Sequence, residues 1–425
     1  MTIKERFVGL LRKSEKITKT DMVYVTKNGG WLLFGTILQS FLSLILAISF
    51  ANLLPKVTYG IYQYALSIAS ILAISTLAGI STSIAHATAQ NKGGAIFSAV
   101  KSKISWGIVG STISCVLAVY YFFNDNSLLG SIFLIVALFV PLSEGFSIYT
   151  GFLQGKKDFK RLTLFETTIQ GIATVALIIT LFLTKNVLII TVVYFLSWTI
   201  ARIIFYKLSI HIYKPEPIQD AHMVSYGKHL SVMSLMGTIS SNTDKLLLWH
   251  FLGPTQVAIY TFSLAIPLRI NGFTKIINRL AFPKLVEKTD GQTDYFLLQK
   301  IIRLSLFLVV ITVLYIIAVP FIYKLLFPQY LESIPYAQIA GLLIVFQPVM
   351  LISTTLIARA RKKDLYIFNI TSPITKAVLF ILLIPTLGIL GAVLGLVGSK
   401  IADTVILLAL FKRIKTEQAS LPHTI

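Results

Sequence analysis

Long apolar runs alternate with short polar segments along the whole chain. A helix crossing a bilayer needs roughly 20 mostly apolar residues. With that length as a ruler the pattern predicts twelve spans, near 29–51, 59–81, 104–123, 128–153, 163–183, 188–206, 229–251, 256–278, 302–323, 333–358, 365–385 and 389–411. The first run, WLLFGTILQSFLSLILAISF, is too long for a signal-peptide core and no A-x-A cleavage site follows it, so a retained helix is expected. The connections NLLPKVT, FNDNS, TKN, LGPTQ and PTLG are too short to hold a domain. The longest polar stretches are 207–228 and 283–300, and the first contains KPEPIQDAH, whose prolines break a helix. The expected fold is all-α and integral to the membrane: a basic N-terminus over 1–28, a six-helix lobe over 29–206, a linker over 207–228, a second six-helix lobe over 229–411 and a tail over 412–425.

Composition agrees. Of 425 residues, 55% are hydrophobic and 13% charged, against about 25% charged in a soluble domain. A soluble enzyme, a fibrous protein and a disordered chain are excluded. The single cysteine, Cys115, leaves no disulfide framework and no cysteine-based metal cluster. The formal net charge is +21, from 38 Lys and Arg against 17 Asp and Glu. Twenty-nine of the 38 fall in the two ends and one alternating set of loops, whereas only Lys56, Lys185 and Lys324 lie on the other side. That asymmetry predicts both termini in the cytoplasm and a multi-pass protein of the cell membrane. No soluble segment is long enough for a nucleic-acid-binding module, so membrane lipids and not nucleic acid are the expected surroundings.

The two halves resemble each other. LPKVTYGIYQYALS, Leu54 to Ser67, aligns with LGPTQVAIYTFSLA, Leu252 to Ala265, pairing Ile61 with Ile259 and Tyr62 with Tyr260. Gly155-Lys156-Lys157-Asp158 echoes Arg361-Lys362-Lys363-Asp364. Six spans separate the halves, an even number, which implies a parallel repeat of the kind that builds transporters with a site near mid-membrane. Tyrosine-rich turns and basic inner ends also recur by chance.

Four stretches carry a family resemblance: Asn52 to Tyr62 (NLLPKVTYGIY), Asn242 to Pro254 (NTDKLLLWHFLGP) with Ala258-Ile259-Tyr260, Asn278 to Leu285 (NRLAFPKL), and the basic turn Arg359 to Asp364. In their order and spacing the chain resembles the multidrug/oligosaccharidyl-lipid/polysaccharide exporter superfamily, and within it the O-antigen-type flippases of lipid-linked oligosaccharides. The resemblance implies a central cavity with alternating access, a polyprenyl-diphosphate-linked oligosaccharide as substrate, and partners among the glycosyltransferases and glycan polymerase of the same pathway.

Charges at bilayer depth are costly unless they face a wet cavity or a partner, so each is a candidate. Lys245, Arg269, Lys275, Lys376 and Lys400 are the basic ones, all in the second half. Together they suggest a cationic cavity for a diphosphate. Arg269 comes first because it is central in depth and offers phosphate a bidentate fork. The plainer alternatives differ by residue. Lys400 and Asp403 are three apart on one helix face and can neutralise each other. Asp244 can pair with Lys275, and Lys275 and Arg202 can snorkel to the interface. The coupling-ion candidates are Glu144, Asp244 and Asp403. Glu144 has no basic neighbour in sequence and suits proton carriage, and Asp244 beside Asn242 and Thr243 suits Na⁺.

Beyond H⁺ or Na⁺ no cofactor is expected. The six histidines lack ligand spacing, and no G-x-x-x-x-G-K-[ST] loop occurs. A cation-coupled multidrug antiporter of the same superfamily expects an acidic cavity, usually with an acid in span 1, which is absent here. Lipid II flippases share the resemblance but typically carry additional C-terminal spans. A membrane glycosyltransferase or glycan polymerase expects a sizeable extramembrane loop, which the short outer connections do not supply. The expectation is a transporter and not an enzyme.

Overall fold

The computed structural model describes residues 22–216, 220, 222–270, 291–358 and 361–419. Among these residues there are helices and turns and no strand. Bilayer interiors offer no water to backbone groups, so each span must satisfy its own hydrogen bonds. Nine stretches of the described residues are long and apolar enough to cross. The last, Lys363–Arg413, has 51 residues, about 76 Å of helix and far more than one crossing needs. Gly388 breaks it at φ 60°, ψ −131°, a conformation that suits glycine. Beyond that break the chain turns back, because Gly391 sits against Leu383 and Gly395 against Phe380. This stretch therefore forms a hairpin of two passes.

Residues 38–261 with 326–329 form one compact unit. It contains α1 (Met22–Leu53) from Leu38 onward, α2 (Lys56–Leu72), α3 (Ile80–Ala89), α4 (Ala95–Phe123), α5 (Ser127–Phe146), α6 (Tyr149–Gly155), α7 (Phe159–Leu183), α8 (Val187–Tyr213), α9 (Met223–Ser240), α10 (Thr243–Leu252) and most of α11 (Pro254–Ser263). Short loops stop and restart these helices through caps. Asn126, Asp158 and Asn186 each accept a backbone N–H from the first turn that follows, at 3.1, 3.0 and 2.9 Å. Helix α8 ends where Lys214 adopts φ 40°, just before Pro215.

Helices α4 and α5 are joined by hydroxyls, Ser111 Oγ donating to Ala137 O at 2.5 Å and Ser114 Oγ to Phe133 O at 2.7 Å. Such bonds hold helices together where lipid gives no hydrophobic drive. The outward faces are apolar, with Leu183 80% and Val116 63% exposed, as a lipid-facing surface requires.

The basic ends of these helices enclose an apolar cluster that includes Ile84, Ile96, Tyr149, Phe152 and Ile169. Beside it Asp158 holds a polar turn. Its carboxylate accepts from the Tyr213 hydroxyl and from Arg161 Nη1 at 3.0 Å. Burial pushes the Asp158 carboxyl up, but the Arg161 backbone N–H, the Tyr213 hydroxyl and the Arg161 guanidinium outweigh it and hold the group below its ordinary value. Lys92 and Asp220 form a second ion pair at this end, at 3.2 Å.

The second unit contains the described residues among 22–37, 262–325 and 330–419. It holds α12 (Gly291–Leu326), α13 (Ile334–Ala340), α14 (Met350–Ala358) and α15 (Lys362–Ala419). Its core includes Leu297, Ile301, Ile352, Leu356, Phe368, Leu407 and Phe411. Tyr323 is fully buried and donates to Phe262 O at 2.6 Å.

Two boundaries differ from the hydropathy reading. Span 3 starts at Ala95 and not at 104, because the polar Lys101 and Lys103 lie inside the helix. Span 7 is two helices, α9 and α10, divided at Ser241–Asn242, and neither it nor α11 is among the nine apolar spans. The remainder of span 8, the motif at 278–285 and Lys275 lie outside the described residues.

Candidate functional site

Span 2 does not run through as one helix. After α2 comes a 3-10 turn, Ala73–Thr76, then Leu77 at φ 59°, before α3 begins. The Ser75 and Thr76 hydroxyls fill carbonyls freed by the break, Leu72 O at 2.8 Å and Ala73 O at 2.7 Å. Span 4 also breaks, at Ser147–Ile148 between α5 and α6, one and a half turns after Pro141. Irregular backbone at membrane depth is tolerated where protein buries it or where it lines a cavity. The break in span 2 lines one, and the break in span 4 lies just beyond its Glu144 wall. A cavity of about 350 Å³ is walled by Leu66, Ala69, Ser70, Ala73, Ile74 and Ala78 of span 2, Val140, Ser143 and Glu144 of α5, Tyr194, Phe195, Trp198 and Arg202 of α8, and Thr238 of α9.

Arg202 is the strongest charge on that wall. Its Nη1 donates to Glu144 Oε1 at 2.8 Å, to Ser143 Oγ at 2.8 Å and to Ser143 O at 3.1 Å, and its guanidinium lies 5.1 Å over the Trp198 ring. The other guanidinium nitrogens donate to no described residue, so most of a five-donor fork stays available. Behind Glu144, Lys103 is 1% exposed, with its ammonium 3.2 Å from Ser147 Oγ and 3.9 Å from Glu144 Oε2. Glu166 accepts from the Tyr149 hydroxyl nearby. Two cations and two carboxylates thus meet at one end of an otherwise apolar bundle.

The candidates read from sequence fall as follows. Glu144 has no basic neighbour in sequence. It is held between Arg202 and Lys103 instead, because helix packing brings α4 and α8 to it. Arg202 was expected to snorkel. Helix α8 runs on to Tyr213, which leaves Arg202 about three turns inside and turned onto Glu144. Lys103, placed in a loop by hydropathy, is buried for the same reason: α4 starts two turns earlier.

Lys245 donates to Gln63 Oε1 at 3.0 Å, and Asp244 accepts from Tyr260 OH at 2.6 Å. In the second unit, Arg269 donates to Ala265 O, Lys376 lies 5.3 Å over the Phe380 ring, and Lys400 pairs with Asp403 at 2.8 Å. The Lys400–Asp403 pair is the self-neutralising alternative. Lys103 and Arg202 were the residues missed. Pro215 as a helix stop and Gly93-Gly94 as a helix start were the signals that place both at depth.

Glu144 holds Arg202 only while it is a carboxylate. Glu144→Gln is therefore expected to strengthen binding of a diphosphate diester roughly tenfold, since a competing charge has gone. Titration of the purified variant with a farnesyl-diphosphate-linked sugar measures it. Unaltered affinity would show that Glu144 does not compete for the Arg202 fork.

Comparison with known proteins follows from this geometry. A family model described as polysaccharide biosynthesis protein matches residues 25–289, more than half the chain. No curated protein matches the sequence. Among solved structures, the lipid II flippase MurJ in an inward closed conformation superposes with TM-score 0.68 at 14% identity, covering 91% of this chain and 90% of that one. MATE in complex with MaD5 gives 0.65 at 13%, covering 94% and 97%. A MOP superfamily transporter from Pyrococcus furiosus, with a binding pocket of reverse polarity, gives 0.55 at 15%, covering 94% and 96%. At these identities the likeness is one of fold. The chain belongs to the polysaccharide biosynthesis protein family and is a multi-pass membrane protein with the fold of the MOP superfamily exporters.

Proposed function

We propose that this protein is a non-enzymatic flippase that carries a polyprenyl-diphosphate-linked oligosaccharide across the cytoplasmic membrane by alternating access. The observation that carries the reading is Arg202: a guanidinium with donors to spare, on the wall of a polar cavity inside a lipid-facing bundle. A diphosphate losing water as it crosses needs such a fork. A cavity of about 350 Å³ is at the low end of ligand pockets and suits a diphosphate with its adjoining sugar, not a whole glycan. The breaks in spans 2 and 4 supply hinges beside it. Family membership and the likeness to a lipid II flippase support the substrate class. The reading keeps twelve spans in a parallel repeat, cytoplasmic termini, H⁺ or Na⁺ coupling, and glycosyltransferases and a polymerase as pathway partners. Arg269, Lys376 and Lys400 stay candidates for headgroup contacts.

The drug antiporter reading draws on the MATE likeness. A cationic drug calls for net negative charge, whereas Glu144, the acid on the cavity wall, is bridged by both Arg202 and Lys103. Expression in a strain lacking its own glycan flippase separates the two. Surface glycan is expected to return while sensitivity to cationic dyes stays the same. Dye efflux without glycan display overturns the proposal.

A further inference from the structure

The cavity is not the end of the polar path in the first unit. Ser70 lines it, and on the same face of α2, one and two turns toward Lys56, stand Leu66 and Gln63. On the other side of the seam, Thr238 lines the cavity, and Asn242 and Lys245 follow it at one-turn spacings. The two rows meet: Asn242 Nδ2 lies 3.4 Å from Ser70 Oγ, and Lys245 Nζ lies 3.0 Å from Gln63 Oε1. Lys245 is thus about 10 Å further along the seam than Ser70.

No carboxylate among the described residues comes within ion-pair distance of it. The adjacent Asp244 contributes its field but is turned to Tyr260 OH at 2.6 Å, and the ammonium donates to a neutral amide that itself donates to Tyr59 OH at 3.0 Å. A cation at depth whose hydrogen-bond partner is neutral is costly, and a visiting anion lowers that cost. Lys245 also stays partly accessible. Beyond it the seam closes, with the Tyr64 and Trp249 rings stacked at 4.1 Å and Gly60 pressed on Pro254.

Resting on the flippase reading, we infer that Lys245, presented by Gln63, is a second diphosphate station. The headgroup passes to it from Arg202 along Ser70, Thr238 and Asn242, before release past the Tyr64–Trp249 stack. Arg202 captures, and Lys245 draws the headgroup across. The first station governs affinity and the second governs the rate of crossing.

The test uses the purified full chain in liposomes with a fluorescent farnesyl-diphosphate-linked monosaccharide. Equilibrium binding is read beside the rate at which the probe becomes accessible to an impermeant quencher. Lys245→Gln is expected to keep Kd within about twofold and to slow crossing roughly tenfold or more, the loss of one charge-assisted bond. Lys245→Arg is expected to recover most of the rate, and Gln63→Leu to slow crossing with Kd unchanged. Arg202→Ala is expected to weaken binding at least tenfold. Crossing at the wild-type rate in Lys245→Gln overturns the second station, as does a Kd loss equal to that of Arg202→Ala, or a Lys245→Arg variant as slow as the glutamine. If the wild-type chain itself neither binds nor flips the probe, the flippase reading fails; if it flips and both Arg202→Ala and Lys245→Gln also flip normally, only the two stations are overturned.

Discussion

Replacing Arg202 by alanine abolishes surface glycan display, and of all single changes it is expected to act most directly on the cargo. Two losses combine. The cavity loses its only planar, permanently charged donor fork, and Glu144 loses the partner 2.8 Å away. Removing one member of a fully buried ion pair costs about 3–5 kcal/mol; here the pair is partly open to the cavity and Lys103 stays 3.9 Å from Glu144 Oε2, so a smaller loss is expected. Part of that cost is therefore structural, and the double variant Arg202→Ala with Glu144→Gln separates the parts. It removes both charges of the pair, so stability is expected to return in part, Lys103 keeping only Ser147 Oγ, while probe binding and glycan display stay absent. Arg202→Lys is expected to recover function only in part, since a point charge replaces a fork. Protein level, thermal stability and display are measured together. Normal display in the double variant would show that Arg202 serves packing alone.

The second large effect is expected at Gly60. A Cβ built there meets Pro254 O at 1.8 Å, and the obstacle is backbone, which no rotamer change can clear. Even alanine forces α2 and the start of α11 apart by roughly 1.5 Å to reach ordinary contact. Gly79 is the counterpart at the basic end, where a Cβ meets Gly227 O at 2.5 Å and where Ser231 Oγ accepts the Gly79 N–H at 2.9 Å. Overpacking of this kind costs about 1–3 kcal/mol, enough to shift an open–closed equilibrium roughly five- to 150-fold. Gly60→Ala is expected to hold the Pro254 end of the seam open and Gly79→Ala the other end. Both are expected to slow transport at least tenfold. A Ser70→Cys reporter in a Cys115→Ser background reads the difference, because an impermeant maleimide applied to each face labels it from opposite sides in the two variants. Equal labelling from both faces would show that the seam is static packing and no gate.

Much of the architecture was legible in one dimension. Hydropathy located the apolar runs, because each span must be long and apolar enough by itself whatever its neighbours are. The distribution of Lys and Arg predicts an orientation, and ordered motifs carried the family. Boundaries failed where a helix continued through polar residues. Lys103 looked like loop because Lys101 and Lys103 break the apolar run, although the helix beneath them begins at Ala95. The turns were readable in part: Asn126, Asp158 and Asn186 are cap residues standing where caps are needed.

The site was not legible, and the reason is geometric. Glu144 and Arg202 are 58 residues apart, Lys103 and Ser147 44, and Gln63 and Lys245 182. Which of them meet depends on the rotation of each helix about its axis and on the depth at which the spans are broken. Neither quantity is written in the apolar pattern, which reports only that a face may enter lipid. The sequence alone determined a many-spanned membrane protein of the polysaccharide biosynthesis protein family, because those properties belong to single segments and their order. Only the tertiary structure decided that span 2 opens at Ala73–Leu77, that a cavity forms there, and that a guanidinium and a carboxylate share its wall, because a pairing between helices exists only once the helices are packed.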